Sequence, residues 1–136
     1  MELKIYYLKL DNCARYSNHV KAKGINPVTL AETGEFFMRI DTGADISVMP
    51  ESMITFPLPN KSSLLIRSVA NDARLICKDC IMALETINGQ WQRYVIENGV
   101  LMRPYTYGLL GCDVLNQVDM LLVAGIAIIE TGVGSQ

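Results

Sequence analysis

A short polar segment between two apolar runs contains the residues best suited to chemistry. Asp41, Thr42 and Gly43 follow the apolar run 36–40 and precede the apolar run 46–49. A carboxylate this close to a core is costly to ionise unless it is paired or hydrogen-bonded, so it is a candidate for acid–base chemistry. Thr42 can donate a hydroxyl, and Gly43 lets other backbone approach closely. Asp-Thr-Gly by itself is also a common turn sequence.

Metal-binding chemistry has a weaker basis in the sequence. Cys77 and Cys80 have a zinc-ligand spacing, and Cys13 with His19 could complete a set of four. However, positions three apart on a strand face opposite sides, and the chain has no second Cys-x-x-Cys pair. Buried, reduced thiols are therefore favoured over a metal site.

Nucleophilic chemistry has no local support. His19 is the only histidine, in a segment that we predict to be a polar loop, and Ser47 or Cys112 could formally pair with it. No strand-to-helix turn of the nucleophile-elbow type surrounds either residue. Asp41 therefore remains the principal candidate.

Strands are predicted along most of the chain because β-branched, aromatic and aliphatic residues alternate with polar ones between frequent turn signals. The predicted strands, with their turns, are 3–10, 36–40, 46–49, a hairpin of 64–69 and 74–84 around Ala70-Asn71-Asp72, a hairpin over 87–96 turned at Asn88-Gly89, and a hairpin of 120–123 and 126–130.

The remaining segments are predicted to be loops, apart from one helix. Residues 11–26 read as a polar region, residues 57–63 as a loop, and residues 131–136 as a frayed tail. A short helix is expected over 113–118, with Asp113 as its N-cap. Short strands separated by turns in a chain of 136 residues predict a single all-β domain, either a barrel or a sandwich.

Composition narrows the functional classes. The net charge is −2 and basic residues are not clustered, so nucleic-acid binding is disfavoured. No apolar window of about 18 residues could span a bilayer, and the charged N-terminal run does not resemble a signal peptide. We expect a soluble intracellular protein, or a segment of a longer polyprotein.

Two motifs in order resemble the retropepsin family, the aspartic proteases of retroviruses and retrotransposons. The first is Asp41-Thr42-Gly43-Ala44, between an apolar strand and Ser47-Val48-Met49. The second, Gly108-Leu109-Leu110-Gly111 with the following helix, is similar to the family's element of two hydrophobic residues and a glycine. The resemblance covers about 36–130, with 3–10 as an opening strand. It implies a closed acid-protease barrel with a flap hairpin.

The resemblance also implies a homodimer. Pepsin-like enzymes have two aspartate loops in one chain, whereas this chain has one, so the second carboxylate should come from a second copy. Two facing Asp41 carboxylates would share a proton and activate a water to cut a peptide bond, with no metal or other cofactor. A viral or mobile-element polyprotein is the expected substrate, in the host cytoplasm or a virus-like particle.

Further roles follow from the resemblance alone. Thr42 is expected to brace the two loops across the dimer, and Gly43 to offer backbone to the substrate or the partner. The substrate-binding positions are Ala44, Asp45, Leu109 and the flap residues Val69, Ala70, Asn71 and Asp72.

Two departures from the family pattern stand out. The flap contains no glycine, and Cys112 stands where retroviral members often have an arginine that pairs with the aspartate matching Asp45. A weak dimer is therefore expected. The alternative function is a catalytically inactive protease-like module for dimerisation or peptide binding.

Overall fold

The computed structural model describes residues 2–10, 14–67, 72–102, 107–118, 120–123 and 127–130. The elements within these residues, in chain order, are β1 Tyr6–Leu8, β2 Ser17–Ile25, β3 Phe36–Ile40, β4 Val48–Pro50, a 3-10 helix Glu51–Met53, β5 Asn60–Arg67, β6 Asp72–Glu85, β7 Trp91–Met102, β8 Gly108–Leu110, helix α1 Cys112–Leu115, β9 Met120–Val123 and β10 Ala127–Glu130.

Eight strands form one sheet in the order β1-β2-β3-β8-β4-β7-β6-β5, and β9 pairs with β10 in a separate two-stranded sheet. A further antiparallel pairing between β2 and β6, from Ala22↔Leu84 to Ile25↔Ile81, curls the large sheet into a half-barrel. The described chain is thus mostly β-strand with one short α-helix. This architecture confirms the all-β prediction.

The predicted hairpins are present, with some shifts in their arms. Strands β5 and β6 pair antiparallel from Asn60↔Lys78 to Arg67↔Asp72. The turn at Asn88-Gly89 is correct, and Gly89 has a φ of 78°, a backbone conformation that favours glycine. Its arms are β6 and β7 rather than the two halves of 87–96, because β6 continues to Glu85. The β9–β10 hairpin also matches the prediction.

The polar interpretation of residues 11–26 is wrong for most of that segment, because β2 occupies Ser17–Ile25. Val20 and Ala22 are fully buried while Lys21 and Lys23 are only partly exposed. The lysines therefore belong to a period-two strand pattern, and their stems cover apolar surface while their ammonium groups reach Glu35 and Glu32. The predicted loop 57–63 is likewise too long, since β5 begins at Asn60.

The core lies between the curled sheet and the elements that follow β8. Its buried members are Leu3, Val20, Ala22, Phe36, Met38, Met49, Leu58, Cys80, Met82, Leu84, Tyr94, Ile96, Leu110, Val114, Leu115 and Val118. The two residues of α1 in this set fix the helix against the sheet. Within the described part of the chain, no helix has the length and apolar character needed to cross a membrane.

Candidate active site

The aspartate loop begins directly where β3 ends. Strand β3 pairs in parallel with β8, from Met38↔Gly108 to Ile40↔Leu110. The Asp41 N–H continues this ladder by donating to the Leu110 carbonyl oxygen at 3.0 Å. Asp41 is therefore held by a central strand pair of the sheet, although its side chain lies on a loop.

A tight turn fixes the carboxylate of Asp41. The Gly43 N–H donates to Asp41 Oδ1 at 3.0 Å, and the Ala44 N–H donates to the Asp41 carbonyl oxygen at 3.2 Å. An aspartate that accepts a hydrogen bond from the backbone two residues later is a common way to stabilise such a turn. Asp41 is half-buried, while Thr42 and Gly43 are exposed.

Backbone contacts join the aspartate loop to the start of α1. The Cys112 N–H donates to the Ala44 carbonyl oxygen at 2.7 Å, and the Asp113 N–H donates to the Asp45 carbonyl oxygen at 3.2 Å. The Cys112 thiol also contacts the Thr42 carbonyl oxygen at 3.3 Å. The two motifs that the sequence places far apart are thus neighbours.

Gly111 allows this close approach. A Cβ at this position would lie 2.7 Å from the Ala44 carbonyl oxygen and 2.8 Å from the Ile46 carbonyl carbon. Both atoms belong to the backbone of the aspartate loop, which cannot move aside without shifting that loop. A side chain at position 111 is therefore incompatible with the observed geometry.

A buried network of hydrogen bonds, which the sequence did not reveal, connects the end of the aspartate loop to Gly111 and α1. The Ser47 hydroxyl donates to Asp113 Oδ1 at 2.6 Å and accepts a hydrogen bond from the Gly111 N–H at 2.9 Å. The Ser47 N–H donates to Asp113 Oδ2 at 3.0 Å. Ser47 is fully buried, so these bonds replace the water that its hydroxyl would otherwise contact.

This network corrects the expected cap of the helix. The N-cap of α1 is Gly111, and Asp113 lies inside the first turn of a helix that ends at Leu115. The Asp113 carboxylate accepts from Ser47 and from the Val114 N–H at 2.8 Å. The only sequence signal for the partnership was a serine among apolar residues in a predicted strand.

His19 is not in a polar loop, as the sequence suggested, but fully buried in β2. Its ring lies edge-on to Phe37 and Tyr107. The Nδ1–H donates to the Ser17 carbonyl oxygen at 2.9 Å, and Nε2 has no hydrogen-bond partner among the described residues. The described contacts of His19 include neither Ser47 nor Cys112, and the Ser47 hydroxyl is already engaged. A Ser–His or Cys–His pair has no support in this geometry.

An open cleft of about 590 Å³ lies beside Asp41. The described residues that line it come from the segment leading into β2, from the end of β3 and the aspartate loop, and from the position before β8: Ala14, Arg15, Tyr16, Ser17, Arg39, Ile40, Asp41 and Tyr107. Leu109, a predicted substrate-binding residue, is half-buried on β8 and pairs with both Arg39 and Val48 in the sheet. It does not line this cleft.

The remaining predicted positions are only partly described. Asp45 is exposed, and no ion pair of its carboxylate is found with the described residues. Asp72 begins β6 at the end of the β5–β6 hairpin nearest its turn, where it pairs with Arg67. Val69, Ala70 and Asn71 lie outside the described residues.

Of the three cysteines that the structure describes, only Cys112 contacts the aspartate loop. Cys77 and Cys80 are both buried, but only Cys80 belongs to the core cluster. Burial raises the pKa of the Cys80 thiol to about 11, which keeps it protonated and unreactive. Across the described residues, no three His, Cys, Asp or Glu side chains are grouped to hold a metal ion. Cys13 is outside that part of the chain.

Comparison with known proteins gives the site its context. A search of curated proteins finds no match to this chain. The sequence model of the retroviral aspartyl protease family matches residues 20–123, which is more than half of the chain and includes the aspartate loop, Gly111 and α1. The match starts at residue 20 and therefore includes most of β2, whereas the sequence motifs placed the start of the resemblance at about residue 36. The chain belongs to the retroviral aspartyl protease family.

Proposed function

We propose that this chain is an aspartic endopeptidase in which two copies of Asp41, one from each subunit of a homodimer, activate a water molecule. The observation that carries the proposal is the Asp41 turn. Its carboxylate is oriented by the Gly43 amide at 3.0 Å and lines an open cleft, in a chain of the retroviral aspartyl protease family.

The chemistry needs two carboxylates that share one proton. Such a pair forms because like charges held close together cannot both ionise easily, and aspartic proteases are the usual example. The ionised Asp41 takes a proton from water as the water oxygen bonds to the peptide carbonyl carbon. Its protonated twin gives a proton to the carbonyl oxygen. The tetrahedral intermediate then collapses as the C–N bond breaks. The first Asp41 gives the nitrogen the proton taken from water, so it leaves as an amine. One hydroxyl of the intermediate returns a proton to the twin Asp41 as it becomes the new carbonyl, which restores the starting pair.

The second copy is required because the sequence has a single Asp-Thr-Gly loop. Thr42 and Gly43 are both exposed beside a half-buried Asp41, as residues that face a partner subunit would be in a single chain. A Cβ at Gly43 would meet only Asp41 Oδ1, at 3.4 Å, which is ordinary contact. Any need for glycine at position 43 would therefore come from the partner or the substrate.

The substrate is proposed to bind as an extended strand, with side chains in alternate pockets. Ala44 and Asp45 would contact its main chain and Leu109 a side chain. The tip of the β5–β6 hairpin, Val69, Ala70, Asn71 and Asp72, would close over it and exclude water. The antiparallel form and length of this hairpin support that role.

The larger-scale proposals follow from the same family membership. The chain is proposed to be one domain whose large sheet closes as a barrel, which the additional β2–β6 pairing supports. Its substrate would be a viral or mobile-element polyprotein, in the host cytoplasm or a virus-like particle. The dimer would be weak because Cys112 cannot form an ion pair with Asp45.

The test is cleavage of a mixed peptide library at about pH 5, where a carboxylate pair that shares a proton is active. We expect cleavage that pepstatin and Asp41→Asn abolish and that a chelator leaves unchanged. The matched control is Glu97→Gln, which also replaces a carboxylate by an amide but at an exposed position of β7. This variant should cleave normally.

Two outcomes would overturn the proposal in different ways. Cleavage that survives in Asp41→Asn would reject Asp41 as the catalytic group. A wild-type protein that is dimeric by sedimentation but cuts no peptide would instead favour the inactive dimerisation or peptide-binding module.

A further inference from the structure

The cleft beside Asp41 has an unusual charge distribution for a chain with a net charge of −2. Among the described residues that line it, Arg15 and Arg39 are basic and Asp41 alone is acidic. The other described lining residues are Ala14, Tyr16, Ser17, Ile40 and Tyr107. Two arginines and one aspartate therefore share this part of the lining, and the aspartate already accepts a hydrogen bond from Gly43.

Strand geometry accounts for the position of Arg39. Neighbouring side chains on a strand point to opposite faces, and Met38 points into the core, so Arg39 points away from it. Asp41 follows directly after β3 and lines the same cleft as Arg39. A substrate side chain next to the bond that Asp41 attacks would therefore lie within reach of Arg39.

Both arginines are available to a ligand. The ion pairs among the described residues are Lys21 with Glu35, at 3.7 Å, and Lys23 with Glu32, at 3.0 Å, and neither involves Arg15 or Arg39. Arg39 is half-buried and Arg15 is exposed. Partial burial strengthens the interaction of a guanidinium with a carboxylate, because water screens the charges less.

His19 does not add to the positive charge of the cleft. His19 lies opposite Arg39 in the β2–β3 ladder. Burial chiefly lowers the pKa of His19, the hydrogen bond to the Ser17 carbonyl opposes that change, and the charge of Arg39 lowers the pKa further. The ring is therefore neutral at neutral pH, and the positive charge of the cleft comes from the two arginines.

We propose that the cleft lined by Arg15 and Arg39 receives an acidic side chain of the peptide substrate, glutamate or aspartate, next to the scissile bond. Arg15 and Arg39 are then specificity-determining residues, since a guanidinium can hold a carboxylate through two parallel N–H···O bonds. This inference rests on the proposed protease function, because it assigns a substrate class to the same site.

The test compares peptides that differ only at one residue beside the cleaved bond, with Glu, Gln, Leu or Lys there. For the wild type, we expect kcat/KM for the Glu peptide to exceed that for the Gln peptide by about tenfold, the lower end of what hydrogen bonds to charged groups contribute, because the cleft is open to water. In Arg39→Gln with Arg15→Gln, the ratio should fall to about one. Arg93→Gln, an exposed arginine on β7 outside the cleft, should keep the wild-type ratio.

A binding measurement separates this inference from the protease function. Labelled forms of the same four peptides are titrated into the Asp41→Asn protein, and their anisotropy is followed. Tighter binding of the Glu peptide, lost in the double arginine variant, would support the acidic subsite even if no peptide were cut. If peptides are cut but Glu gives no advantage over Gln, or if the advantage survives the double substitution, the subsite is wrong and the protease function stands. Equal binding of all four peptides by Asp41→Asn, together with a dimeric wild type that cuts none of them, would reject both.

Discussion

Ser47 is the residue on which the geometry beneath the aspartate loop depends. Its hydroxyl donates to Asp113 and accepts from the buried Gly111 N–H. A buried donor that loses its acceptor keeps the full cost of its desolvation, so removing this hydroxyl affects both the Gly111 N–H and the Asp113 carboxylate. The consequence is that a fully buried serine helps to hold the aspartate loop.

We expect Ser47→Ala to lower the free energy of unfolding by about 1–3 kcal/mol, because it leaves the Gly111 N–H without its acceptor and removes a charge-assisted bond to Asp113. Urea denaturation measures the change. Ser52→Ala, at an exposed position in the 3-10 helix, is the control and should change stability by less than about 0.5 kcal/mol. Equal, small effects in both variants would show that the network contributes little.

His19 gives the fold a dependence on pH. Burial lowers the pKa of His19 below its ordinary value of 6.5. The unfolded chain therefore takes up a proton at a higher pH than the folded chain does. The contribution of neutral His19 to stability is full above about pH 6.5 and is lost progressively as the pH falls below that value.

In His19→Asn this part of the pH dependence should be absent, since the asparagine amide can still donate to the Ser17 carbonyl but does not titrate. Between pH 7 and pH 5, the wild type should lose stability relative to the variant, with a slope of at most about 1.4 kcal/mol per pH unit for one proton. Urea denaturation of both proteins at equal concentration measures the difference. Parallel curves for the two proteins would contradict the prediction.

At the scale of elements, α1 and the aspartate loop behave as one unit. The first two N–H groups of the helix donate to carbonyl oxygens of the loop, at Ala44 and Asp45. Those groups would otherwise lack partners at a helix N-terminus. Gly111 makes the approach possible, so the position of Asp41 depends on a helix far along the chain.

Gly111→Ala is expected to destabilise the protein by about 1–3 kcal/mol or more, because the new methyl group would overlap backbone atoms at 2.7 and 2.8 Å. It should also lower kcat, since relief of the overlap moves the aspartate loop. Thermal denaturation and the cleavage assay measure the two effects. Gly34→Ala is the control, because its Cβ would meet only the flexible end of Met53, at 3.3 Å. Comparable losses in both variants would mean that the close approach at Gly111 is not the cause.

At the scale of the whole molecule, the chain supplies half of the proposed active site. One aspartate loop, an exposed Thr42-Gly43 pair and a cysteine in place of a stabilising arginine together predict a weak dimer as the active form. Activity should then depend on protein concentration in a way that a monomeric enzyme would not show.

Mixing experiments test this dependence directly. When wild type is mixed with an equal amount of Asp41→Asn and the subunits exchange freely, only about one quarter of the dimers keep both aspartates. At concentrations where both samples are fully dimeric, the rate of the mixture should be about half the rate of the same amount of wild type without the variant. Mixing with Glu97→Gln should cause no such loss. A rate per wild-type chain that is unaffected by Asp41→Asn would show that each chain works alone.

Local sequence alone determined much of this molecule. The run Phe36–Ile40 followed by Asp-Thr-Gly predicted β3 and the aspartate loop, and Asn88-Gly89 predicted a turn that requires a positive φ. The antiparallel pairing of β9 and β10 was likewise visible in the pattern. These features depend on residues close together in the chain, where strand period and turn chemistry act.

Only the tertiary structure decided the features that join distant segments. Strand β2 was missed because its outward lysines resemble a solvated loop until the sheet buries Val20 and Ala22. The Ser47–Asp113 bond spans 66 positions, and the arginine cleft combines residues that precede β2 with residues of β3. The physical reason is that such contacts arise from strand pairing and packing between remote segments, which the residues of one segment alone do not specify.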